Sequence, residues 1–153
     1  MNLLKSDIVG AQYDVLWEDV SATIAGAGIR HVLILISETD KGAEEQVQLR
    51  KMLDACKLKP EDYNIITLQA DKMIAWHQLR EKLDPKIVFL IGIAPLQLGI
   101  SSLFRLNEPN SFNDRIFLPT ISIREQEQFP DMKKQLWING MKPIFVDKKF
   151  VAF

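Results

Sequence analysis

Ser37-Glu38-Thr39-Asp40 crowds two carboxylates and two hydroxyls into four residues. Such a group after a buried strand is suited to orienting an attacking water or accepting the polar edge of a base. Asp and Thr are also favoured helix caps, so the preferred expectation is a polar loop that caps the helix following it. The imidazoles are His31 and His77; His31 opens a strand and His77 lies among charged residues on a predicted helix, and both read as structural or exposed. Cys56 is the single cysteine, which excludes disulfides, zinc ribbons and four-thiolate iron–sulfur clusters and fits a reducing cytoplasm. No His/Cys/Asp cluster has ligand spacing, so neither a metal nor another cofactor is expected. Gly26-Ala27-Gly28 precedes a strand instead of joining a strand to a helix, and no glycine-rich loop is followed by Lys-Ser or Lys-Thr. Nucleotide-phosphate chemistry is therefore unsupported.

The elements that must position these residues follow from periodicity. Val9, Tyr13, Leu16, Trp17, Val20 and Ile24 fall at helical spacing, predicting an amphipathic helix over about 7–25, stopped by Gly26 and Gly28. Residues 31–37, HVLILIS, form a continuous apolar β-branched run, as in a strand buried on both faces. A helix over 42–57 carries Leu49, Met52, Leu53 and Cys56 on one stripe, and 63–68 is the second strand. Asp71 is the expected cap of a helix bearing Trp76, Leu79 and Leu83, closed by Asp84-Pro85. Residues 86–92 are the third strand and 115–118 the fourth, ended by Pro119. Leu103–Asp114 reads as a polar loop at the carboxyl end of the third strand. A last helix starts at Pro130 and stops at Gly140, with Met132, Leu136 and Trp137 toward the sheet. Strands alternating with helices imply an α/β fold: a three-layer α/β/α sandwich on a mostly parallel four-stranded sheet, order 2-1-3-4.

Composition sets the remaining bounds. The chain has 153 residues, 47% apolar and 25% charged, which suits one domain with a core over about 30–140. A net charge of −1 with scattered basic residues argues that any binding to DNA is weak or absent. The longest apolar stretch, 87–100, is too short to span a bilayer and contains Pro95 and Gln97, so no membrane association is expected. The tail 142–153, with Ile144, Phe145, Phe150 and Phe153, is apolar for a chain end. Packing on its own domain is the preferred expectation, and a partner's groove is the alternative.

Residues 49–68, LRKMLDACKLKPEDYNIITL, together with Leu118-Pro119-Thr120, Arg124 to Trp137, and Leu90-Ile91-Gly92 with Gly99 between them, resemble the uracil-DNA glycosylase superfamily in order and spacing. The resemblance covers about residues 30–140 and implies that family's α/β fold. It also implies a pocket at Ser37, Glu38, Thr39, Asp40, Asn113, Leu118, Pro119 and Thr120. Active members resembling this pattern carry a glycine-rich loop with an acidic or amide residue where this chain has Ser37 to Gly42. They also carry a histidine, stabilising the departing base anion, where this chain has Leu118. One cysteine cannot hold the iron–sulfur cluster of the shorter members. Loss of an oxyanion donor alone costs several kcal/mol of transition-state stabilisation, so the resemblance implies a vestigial pocket with no catalytic residues.

In size, sheet and lack of catalytic residues the chain is similar to the psi subunit family of bacterial DNA polymerase III. That resemblance implies a non-catalytic tethering protein with clamp-loader or polymerase subunits as partners. Two alternatives stand beside it. One is a divergent base-excision enzyme using Glu38, Asp40 or Asn113 on water, which would need a closed slot with an aromatic wall at the strand ends. The other is a small-ligand-binding α/β domain.

Overall fold

The structure, a computed structural model, describes residues 31–149. The helix predicted over 7–25, Trp17, Phe150 and Phe153 lie outside the described residues. In chain order the elements are β1 (Val32–Ser37), α1 (Ala43–Ala55), β2 (Tyr63–Leu68), α2 (Trp76–Leu83), β3 (Ile87–Ile91), β4 (Asn110–Phe112), β5 (Arg115–Thr120), α3 (Ile123–Gln128) and α4 (Pro130–Gln135). A π-helical segment, Leu136–Val146, continues α4.

The sheet order is β2-β1-β3-β5-β4, with β2, β1, β3 and β5 parallel and β4 antiparallel to β5. The parallel strands stand in the predicted order, but the sheet has five strands, not four. The extra strand arises inside the supposed polar loop because Asn113 (φ 53°) and Asp114 (φ 61°) both adopt left-handed conformations. Two positive φ values in a two-residue connection are what a type I′ hairpin needs, and Asn and Asp tolerate them.

β1 and β3 are buried along their whole length. Val32, Ile34, Ile36, Ile87, Phe89 and Ile91 face one core with α1, α3 and the π-helical segment. Leu33, Leu35, Val88 and Leu90 face the other, with α2 and the loop after β3. Alternation across a pleated sheet thus requires apolar residues at successive positions, which the run VLILI supplies. Two cores on opposite faces make the three layers.

Three local expectations are corrected. α2 begins at Trp76, and Asp71 is an exposed turn residue, not its cap. The chain before α2 is held instead by Gln97, whose Nε2 donates to the Gln69 and Lys72 carbonyls, both at 3.1 Å. Pro119 does not end β5: it pairs in register with Leu90, and the strand continues to Thr120. The Thr120 carbonyl accepts from Gly92 on the β3 side, while the Pro119 carbonyl accepts from Asn107 on the other. The missing N–H of Pro119 therefore faces the side where β4 no longer runs, the place a sheet tolerates proline.

Gly140, expected to stop the last helix, is buried within it. A Cβ there would lie 2.6 Å from Leu118 Cδ1 and 3.0 Å from the Asn107 carbonyl oxygen, so glycine serves close approach of the helix to β5. The helix then runs through Pro143 in wide i→i+5 turns, ending with Asp147 N–H on the Lys142 carbonyl at 2.9 Å. Its burial of Ile144 and Phe145 explains the apolar tail. Both are core residues, with Phe145 stacked on Phe89 at 6.4 Å, and neither is presented to a partner.

Candidate functional site

The strand ends β1, β3 and β5 bring Ser37, Gly92, Thr120 and Ser122 together. Gly92 has φ 69°, and a Cβ on it would lie 3.0 Å from Ser122 Cβ and 3.2 Å from Ser37 Cβ. No base fits between these three residues. Ser37 is buried, its Oγ lies 3.0 Å from Thr39 Oγ1, and it accepts from Thr39 N–H at 3.3 Å. Glu38 is partly exposed and pairs with Lys41 at 2.8 Å.

Asp40 is fully buried. Its Oδ2 accepts from Ile123 N–H at 2.8 Å and its Oδ1 from Arg124 N–H at 3.2 Å. Asp40 thus caps α3, more than eighty positions away, and not the helix that follows it, whose cap position is Gly42. Ser122 and Glu125 form a reciprocal capping box: Ser122 Oγ accepts from Glu125 N–H at 3.2 Å and Glu125 Oε1 accepts from Ser122 N–H at 3.4 Å. Gln126 N–H donates to the Ser122 carbonyl at 2.9 Å. The first four N–H groups of a helix lack partners within it and form a ready anion site; here all four are satisfied by the chain, with Asp40 as the anion. Burial raises the Asp40 carboxyl above its ordinary value, and the Ile123 and Arg124 N–H groups work against that rise.

The closing strand is equally committed to structure. Leu118 is fully buried against the π-helical segment at Gly140, and Pro119 is buried in β5, not in a loop. Thr120 donates its hydroxyl to Asn107 Oδ1 at 2.7 Å inside the protein. Asn107, φ 62° and 2% exposed, joins the loop after β3 to β5 and was not singled out from sequence. Its signal is Asn in a loop, a residue suited to left-handed backbone.

Asn113 does not join this group. It sits in the hairpin before β5, at the amino end of the strands, where its Oδ1 accepts from Arg80 at 2.7 Å and Trp76 Nε1 at 3.3 Å. Arg115, also missed from sequence, organises that end. It donates to the Pro85 and Asn113 carbonyls and to Asp84, and lies 6.0 Å from the Trp76 ring centroid. The hydrogen bond from Arg115 holds the Asp84 carboxyl below its ordinary value.

Trp76 is edge-on to Phe117 at 5.0 Å, deep in the second core. Burial pushes the Cys56 thiol up to about 12, which leaves it protonated and unreactive. Among the described residues no group of three or more His, Cys, Asp or Glu could hold a metal, and no helix is long and apolar enough to cross a membrane. The chain matches no protein-family model and no curated protein.

Proposed function

We propose that this chain is a non-catalytic binding or tethering protein of the DNA replication or repair machinery. In this reading it has a degenerate uracil-DNA glycosylase-like fold, resembles the psi subunit of bacterial DNA polymerase III, and takes polymerase or clamp-loader subunits as partners. One observation carries the non-catalytic part: the buried Asp40 carboxylate is taken up by the N-terminus of α3, so it neither orients a water nor leaves an anion site. The apolar burial of Leu118, where the resembled enzymes hold a histidine, supports the same reading. The order of the parallel strands, followed by a helix carrying Trp137, supports the family likeness.

Capture of the tagged full chain from its native cells, with mass spectrometry of what is retained, tests the reading. Polymerase or clamp-loader subunits are expected; their absence alongside recovery of the intact bait would overturn it. The full chain is needed because removing residues 142–153 would strip Ile144 and Phe145 from the core.

A further inference from the structure

Over the first core, between α1 and the helix that runs from α4 into the π-helical segment, lies a groove of about 230 Å³. Met52, Leu136 and Met141, all buried, form its floor, and half-buried Trp137 stands in one wall. Lys133 lies on the same helix face as Trp137, four residues earlier, and Lys51 stands on the α1 wall. Both lysines are exposed, and no acidic residue lines the groove. Among the described residues Lys51 has no carboxylate partner, and Lys133 reaches Glu127 only at 3.9 Å. The imbalance extends beyond the lining. Residues 132–149 contain five lysines and a single acid, Asp147, in a chain whose net charge is −1. The volume falls below the roughly 300–1,000 Å³ of small-ligand sites and suits one bulky apolar side chain. Methionines give such a contact an adaptable, polarizable floor, and tryptophan is a frequent anchor of protein interfaces.

We propose that this groove receives an acidic amphipathic helix of a partner protein. One large apolar side chain of that helix seats against Trp137, Met52 and Met141, and carboxylates on the two flanks of its apolar stripe pair with Lys51 and Lys133. The proposal rests on the reading of the chain as a tethering protein and names the chemistry of the partner at this site. Two neighbouring helices leave a groove in which a third lays its apolar stripe. Lysine on both walls attracts acidic flanks and repels basic ones, so charge selects the partner while the apolar contact holds it. Glu127 is no obstacle: its pair with Lys133 is exposed on both sides, 45% and 57%, and such pairs contribute little. A nucleic-acid strand would answer the lysines but leave the apolar floor unmatched. Strand binding stacks successive bases on several aromatic rings, whereas this groove has one.

Titration of the full chain, labelled at its methionine methyl carbons, with a synthetic helical peptide of about 16 residues tests this. The peptide carries a leucine stripe with a central phenylalanine, flanked on both sides by glutamates. Saturable shifts of the Met52 and Met141 methyl signals are expected, with affinity roughly tenfold tighter than for the same peptide bearing lysines in place of the glutamates. In the Lys51→Glu/Lys133→Glu variant the preference should reverse, which a purely apolar contact would not do. Both positions are exposed, so the variant leaves the core intact. Equal affinity for the two peptides, or methyl signals that neither peptide moves, would overturn the proposal. So would displacement of the acidic peptide by oligothymidylate at comparable concentration, which would assign the groove to nucleic acid. Met52 and Met141 shifts that grow with protein concentration alone would assign it to a second copy of the chain and overturn the proposal as well. The peptide contains no replication subunit, so failure here is distinct from failure of the capture experiment, in which polymerase subunits would still be retained through another surface.

Discussion

A methyl group added at Gly140 would press on Leu118 Cδ1 and on the Asn107 carbonyl oxygen, at 2.6 and 3.0 Å. Alanine is favoured over glycine in a helix by about 1 kcal/mol, so propensity and packing oppose each other here. Leu118 is fully buried and cannot swing into solvent, and the carbonyl belongs to backbone pinned by Thr120 and Pro119. Packing should win: Gly140→Ala is expected to lower stability by about 1–3 kcal/mol, read from urea denaturation midpoints. Asp40 offers a second test. Asp40→Ala leaves two helix N–H groups uncapped and should cost about 1–3 kcal/mol at neutral pH. Because burial raises the folded-state value above 3.8, the stability linked to its titration is fully present below 3.8 and fades as pH rises through the folded value. Asp40→Asn should flatten that slope in denaturation midpoints measured across the mildly acidic range.

The hairpin of β4 and β5 and the end of α2 meet at Arg115, and their carboxylate has the opposite sign. Arg115 lowers the Asp84 carboxyl below 3.8, so this contribution is present above 3.8 and disappears as pH falls through the folded value. In Arg115→Gln the Asp84 titration, followed by carboxyl-carbon NMR, should move up toward 3.8. The same elements show what was legible in sequence. The runs VLILI and IVFLI are apolar at every position because both faces are covered, a pattern readable without coordinates, and Tyr63–Leu68 was placed to the residue. The hairpin was not legible because its turn is Asn-Asp, which in composition resembles any polar loop. Gly140 misled because glycine serves both at helix ends and where helices touch, and only the neighbour, Leu118, tells the two apart. Asp40 has the residue type of a helix cap, but the helix it caps, α3, is distant in sequence and local spacing cannot name it. Ser122-Ile123-Arg124-Glu125 has the Ser-x-x-Glu spacing of a capping box, a signal that local sequence does carry.

At the scale of the whole molecule, the carboxyl ends of the strands are where open parallel sheets usually hold ligands. This chain fills them with its own contacts: Ser37 and Ser122 close on Gly92, Asp40 closes α3, and Thr120 closes on Asn107. A net charge of −1 offers little electrostatic pull on a polyanion, and a flipped base would have to displace those contacts before meeting any catalytic group. These contacts are why we propose that the fold serves as a scaffold for protein contacts and not as a catalyst. Release of uracil from single-stranded and mismatched duplex DNA by the purified full chain tests that claim most directly, with Glu38→Gln as the paired control. The expected result is release no faster than in the protein-free blank. Release that depends on protein concentration and is abolished by Glu38→Gln would contradict it.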